Sequence, residues 1–248
     1  MNRWWCLLAA IAILLPIPAE GGSILTCDAG YFGYKVGGSN WTQFTAKLNA
    51  ASGGQVYSAS NFEDLPLMLG HDALLLPARY QGDTLSDAEV ANLTAFIATG
   101  RRVLLFGENN NWIGWNQQVV SIAGGTYVPE PYDAFWGYSS SLLSHEITDG
   151  ANSILGFWVG VAEGGTQLYS EKNFVTLWGT SQNVLTILDE NVVEDGYQLG
   201  FGDDAQFTTN VANWLAGPAA APVPEPASLL LVGTGLAAGL RAWRKRRG

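Results

Sequence analysis

Two groups of polar residues stand where apolar runs end. Asp28 closes the run Ile24–Cys27, and Glu108-Asn109-Asn110-Asn111 follows Val103–Phe106 and a glycine. An open α/β sheet offers side chains at the carboxyl ends of its strands to small ligands. Asp28, Glu108, Asn109 and Asn110 are therefore the candidate ligand pocket. The competing reading of the Asn run is turn and helix-cap chemistry, because Asn bonds readily to nearby backbone. Asp28 and Glu108, joined by His145, are also the acid/base groups that an extracellular hydrolase would need.

Other chemistries find less support. The chain has two histidines, His71 and His145, neither at metal-ligand spacing from the other, so no metal site is expected. His71 reads as the polar lead-in to a strand and His145 as a turn residue. Of the two cysteines, Cys6 falls in the N-terminal apolar segment. That leaves Cys27 alone, without an intrachain disulfide, and its apolar run makes it a buried strand residue. Neither a Walker loop, a post-strand GxGxxG nor a GxSxG is present, and no cofactor is expected. Residues 189–204, DENVVEDGYQLGFGDD, hold six carboxylates. Their spacing fits no EF-hand loop, and the segment reads as a solvated loop rather than a calcium site. Ten tryptophans, among them Trp112, Trp115, Trp136 and Trp158, suit either a core or a carbohydrate-stacking surface.

The elements that position these residues alternate in type. SILTCDAG, QVYSAS, DALLLPA and RRVLLFG read as strands, the last continuously apolar as in a buried parallel sheet. Between them, NWTQFTAKLNAA has helical spacing, and NFEDLPLML reads as a short helix broken by Pro66. SDAEVANLTAFIATG has Ser86 as cap, Glu89 as capping-box partner and Gly100 to end it. NWIGWNQQVVSIAGG reads as a fourth helix. The order implies an α/β fold, a doubly wound, mostly parallel sheet covered on both faces. The more β-rich remainder, ILGFWVGVA, TQLYS, FVTLWG and VLTILDE, reads as the continuation and edge of that sheet, with AQFTTNVANWLAG as the last helix.

Both ends differ from the body. Arg3, an apolar run from Trp4 to Ile17 and small residues after it have the order of a secretory signal peptide over 1–19, cleaved after Ala19. An α/β globular domain then covers 20–217, and 218–222 is a Pro/Ala linker. Residues 20–222 carry 21 acidic and six basic side chains, a formal charge of −15, which repels phosphate backbones and argues against a nucleic-acid partner. The closing segment 223–248 joins Pro224-Glu225-Pro226, a stretch that reads as a single hydrophobic transmembrane helix, and the basic tail Arg244-Lys245-Arg246-Arg247. Its basic end suits retention in the cytoplasm while residues 227–243 enter the membrane transiently.

These three parts, in this order, resemble the PEP-CTERM sorting signal. The resemblance implies export through the inner membrane, processing by an exosortase near the Pro-Glu-Pro, and delivery to the cell surface or an exopolysaccharide matrix. The body carries a second resemblance. DALLLPARYQGDTLSDAEVANLTAFIATGRRVLLFGENN is similar to the class I glutamine amidotransferase-like fold and its non-amidotransferase relatives, with SHEITDG and FGDDAQFTTNVANWL matching later segments. In enzymes of that fold a cysteine stands on the strand-to-helix elbow, where this chain has Gly107-Glu108-Asn109-Asn110-Asn111-Trp112. The amidotransferase nucleophile is thus missing, and His145-Glu146 is not the His-x-Glu pair that would activate it. The expected function is that of an exported, non-catalytic binding or structural domain, with the hydrolase as the alternative.

Overall fold

The computed structural model describes residues 21–129, 135–196 and 199–218. The stretches read from the sequence as a signal peptide (1–19) and a sorting segment (223–248), and most of that read as a linker (218–222), lie outside the described residues.

The elements run β1 (Ile24–Cys27), α1 (Thr42–Ala51), β2 (Val56–Ala59), α2 (Leu65–Leu69), β3 (Ala73–Leu76), α3 (Asp87–Ile97) and β4 (Arg102–Phe106). There follow α4 (Ile113–Ala123), β5 (Thr126–Val128), β6 (Trp136–Ser140), β7 (Ser153–Phe157), β8 (Val161–Glu163) and β9 (Thr166–Gln167). Finally come β10 (Val175–Trp178), β11 (Val184–Ile187) and α5 (Asp204–Ala216). Seven strands form one sheet in the order β2-β1-β3-β4-β11-β10-β9, parallel from β2 to β11 and antiparallel at the β10 and β9 edge. Leu104 pairs with Leu75 on one side and Leu185 on the other, which explains the unbroken apolar runs: these strands are covered on both faces.

The strand order grows in both directions from β1, so right-handed crossovers place α1 and α3 on opposite faces. Consistent with that, α1 packs on α5, while α3 packs between α2 and α4. α3 begins with a complete capping box: Ser86 Oγ accepts the Glu89 N–H, and Glu89 accepts the Ser86 N–H.

Three expectations need correction. Pro66 does not break a helix but stands in the first turn of α2, where its missing N–H costs nothing, and Asp64 caps that turn by accepting from the Leu67 N–H. The β-rich remainder does not extend the main sheet throughout, because β5–β8 and β6–β7 form separate two-stranded ribbons. The acidic segment 189–204 is not simply a solvated loop, since Asp189, Glu190 and Asp204 are fully buried.

The last two corrections share a cause. In an antiparallel pair alternate N–H groups face away from the partner strand. On β7 those outward groups belong to Ser153, Leu155 and Phe157, which donate to Asp203 Oδ2 (3.0 Å), Asp204 Oδ1 (3.0 Å) and Asp189 Oδ2 (2.7 Å). Three carboxylates from the acidic segment thus satisfy the edge that another strand would otherwise cover.

Candidate functional site

The carboxyl ends of β3, β4 and β11 meet in a buried carboxylate network. Gly107 follows β4 because a Cβ there would lie 2.6 Å from Asn116 Oδ1 and from a Leu188 methyl. Asn116, buried on α4, clamps the turn that follows. Its Oδ1 accepts the Glu108 N–H (3.0 Å), and its Nδ2 donates to the carbonyls of Glu108 (2.6 Å) and Asn109 (3.2 Å). Held this way, Glu108 points inward. Its Oε2 accepts from the backbone N–H (3.1 Å) and Nδ2 (2.8 Å) of Asn109, its Oε1 accepts the Glu190 N–H (3.3 Å), and the Tyr31 hydroxyl donates to it.

The turn after β11 supplies two further carboxyls. Asp189 receives the Phe157 N–H on one oxygen and both Asn191 donors on the other (3.1 Å each). Glu190 Oε1 accepts the Ala78 N–H (2.6 Å), while its Oε2 is buried without a partner. Burial raises all three, since the charged forms lose water. Glu108 is pushed up to about 7. Asp189 and Glu190 are pushed well above the usual carboxylate range, first by burial and then by the charge of Glu108. Burial and the same carboxylates also raise the Tyr31 hydroxyl. The network ties together the turns after β3, β4 and β11 and the end of β7.

An aromatic shelf lies over this network. Tyr31 stacks on Tyr34 at 5.0 Å between ring centroids, and Trp112 (5.1 Å) and Tyr80 (6.2 Å) adjoin it. Phe32 meets Tyr80 edge-on at 5.2 Å. Phe32 is 70% exposed and Tyr80 48%, although the rest of the cluster is packed. Phe32 also has a φ of +42°, in the left-handed region that costs a non-glycine residue about 1–2 kcal/mol.

Beside the shelf a polar crevice of about 560 Å³ opens where the strand order reverses between β1 and β3. Ala29 follows β1, Ser60 and Asn61 follow β2, and Arg79 follows β3; Glu63, Asp83, Ser86 and Glu89 complete the polar wall. Arg79 pairs with Glu89 through both terminal nitrogens, and lies 3.7 Å from Cys27 Sγ. Its guanidinium sits over the Trp115 ring, and its carbonyl accepts from Trp112 Nε1 (2.8 Å), which joins crevice to shelf.

The residues named from the sequence are dispersed. Glu108 and Asn109 come together as described. Asn109 also caps the 3₁₀ turn Asn110–Trp112 by accepting the Asn111 N–H (2.9 Å), and Asn110 Oδ1 accepts from the Tyr127 hydroxyl (3.2 Å). Asp28 is exposed and paired with Lys35 (2.7 Å). His145 Nδ1 accepts the Ile147 N–H (3.1 Å) within its own turn, and His71 precedes β3 with its ring 4.9 Å from that of Tyr57. Cys27 is buried. Sequence reasoning passed over Asp189 and Glu190, although they end the run Val184–Leu188 just as Glu108 ends its own. The shelf residues Tyr31, Phe32 and Tyr80 carried no spacing signal. Among the described residues no group of three or more His, Cys, Asp or Glu side chains is disposed to hold a metal ion.

Comparison with known proteins separates the tail from the body. Residues 222–247 match the PEP-CTERM protein-sorting motif, and the chain is accordingly an exported protein of the exosortase-sorted type. The body has the fold of the mmIFT52 N-terminal domain, at a TM-score of 0.59 and 12% identity, over 77% of this chain and 100% of that one. A GMP synthase-like protein from Thermoplasma acidophilum aligns at 0.49 and 16% identity, over 77% and 94% of the two chains. A ThuA-like protein from Bacteroides uniformis aligns at 0.48 and 12%, over 77% and 89%. At 12% identity the likeness to the first of these shows the fold alone. No curated protein matches the chain. Among the described residues no helix is long and apolar enough to cross a membrane; the stretch 227–243 lies outside them.

Proposed function

We propose that the body is a non-catalytic carbohydrate-binding module, delivered by exosortase processing to the cell surface or an exopolysaccharide matrix. The observation that carries this reading is the pairing of an exposed aromatic shelf with a polar crevice at the reversal point of the sheet. Pyranose rings present an apolar C–H face to an aromatic ring and hydroxyls to polar groups beside it, and concave sites of this kind at switch points take ligands. The buried network below, with its hydrogen bonds to backbone, keeps the loops bearing Tyr31, Ala78 and Glu108 in place and so makes the shelf rigid.

The hydrolase alternative draws less support. Its three groups are committed separately, Asp28 to Lys35, Glu108 to Asn109 and Glu190, and His145 to Ile147. A general acid and base must both reach one reacting centre.

The reading is tested by co-sedimentation of the mature protein with polysaccharide from its native host. Retention that is lost in Phe32→Ala and Tyr80→Ala, but kept in Trp136→Ala, is the expected result. Absence of retention contradicts the reading, as does hydrolysis of the polysaccharide by the wild-type protein that Glu108→Gln abolishes.

A further inference from the structure

The crevice is polar and also has an unbalanced charge. Four ionisable groups line it: Glu63, Asp83, Glu89 and Arg79. Arg79 is consumed by Glu89, whose carboxylate takes both of its terminal nitrogens while also closing the capping box of α3. That pair balances its own charge, with Arg79 Nε buried and without a partner. Glu63 and Asp83 are both exposed at the crevice. The other ion pairs among the described residues are Lys35–Asp28 and Arg102–Glu146, so neither of these two carboxylates has a cationic partner. Glu63 Oε1 accepts a hydrogen bond from Ser86 Oγ (2.8 Å), and its N–H donates to Asn61 Oδ1 (3.1 Å), which fixes it on the wall. The lining thus carries a formal −2, from three carboxylates against one guanidinium, in a body that is itself strongly acidic.

We infer that the crevice selects saccharides bearing an ammonium group, that is, amino sugars with a free amine, with Glu63 and Asp83 as the specificity-determining residues. This inference rests on the carbohydrate-binding reading and narrows it. Tyr80 and Phe32 hold the apolar face of the sugar, while Glu63 and Asp83 receive its ammonium at the crevice. A uronate or phosphorylated sugar meets like charge at the same place and is refused. Ser60, Asn61 and Thr84 supply neutral donors and acceptors for the remaining hydroxyls.

The test uses the mature protein and three soluble probes at mildly acidic pH: deacetylated chitotetraose, its fully N-acetylated form, and tetragalacturonate. Titration calorimetry is run at low and high salt, because attraction between exposed charges is screened. The expected result is binding of the deacetylated probe about tenfold tighter than the acetylated one at low salt, a preference that shrinks at high salt, and no binding of the uronate. Glu63→Gln with Asp83→Asn should equalise the first two probes while leaving the melting temperature unchanged. Equal affinity for the acetylated and deacetylated forms, or preference for the uronate, overturns the inference and leaves the broader reading in place. Binding of none of the three overturns the inference as well. In that case the co-sedimentation above decides whether carbohydrate binding itself survives.

Discussion

Glu108 should make this domain less stable as pH rises. Its carboxyl is buried against Tyr31, Asp189 and Glu190, and burial lifts it from 4.5 to about 7. The folded protein therefore keeps this proton up to about pH 7, whereas the unfolded chain releases it near 4.5. Stability from the protonated carboxyl is fully present below about pH 4.5 and is lost as pH rises through about 7. The gap corresponds to about 3 kcal/mol for this one group. For a domain of this size that is about 6–12 °C in melting temperature. Asp189 and Glu190 are raised for the same reasons and Asp204 is raised to about 8, so the total slope is at least as steep. The assay is urea unfolding of residues 20–218 between pH 4.5 and 8, for wild type and Glu108→Gln. The wild type should lose stability across this window, and the amide, which cannot ionise, should remove about 3 kcal/mol of that loss. A wild-type curve that is flat or rises with pH, or a variant with the wild-type slope, would refute the reasoning.

Other outcomes follow from the same geometry. Gly160→Ala places a Cβ 2.4 Å from the Glu108 carbonyl and should cost about 1–3 kcal/mol in denaturant titrations, because backbone there must move. Ser86→Ala removes the acceptor of the α3 capping box and should cost about 1 kcal/mol in urea unfolding. Phe32→Gly relieves the positive φ, so stability should hold or rise by about 1 kcal/mol while retention on polysaccharide is lost. Intact mass of the protein recovered from its host should lack Arg244 to Arg247; a mature form that keeps them contradicts exosortase processing.

Much of the scaffold was legible because its signals are local. Val103–Phe106 announces a two-sided buried strand, and Ser86 with Glu89 announces a helix start. The sorting segment is legible for a similar reason, being three contiguous parts. What escaped was long-range. Nothing local distinguishes Asp203 and Asp204, which accept from β7 some fifty residues away, from solvated loop carboxylates. Pro66 was misread because the same residue that ends a helix is also welcome in its first turn, and only the Asp64 cap decides which. Asp28 and Glu108 each end a strand of the same sheet, yet Lys35 draws one outward while Asn116 and Tyr31 hold the other inward. The shelf was hidden because Tyr31, Phe32, Tyr80 and Trp112 come from three separate loops.

The most direct test of the central claim is calorimetric titration of the mature protein with oligosaccharides released from its host's own exopolysaccharide, for wild type and Tyr80→Ala. The shelf and crevice predict saturable binding that weakens at least about tenfold in the variant while its melting temperature stays within error. Heats of dilution alone for the wild type, or equal affinity in the variant, would contradict it.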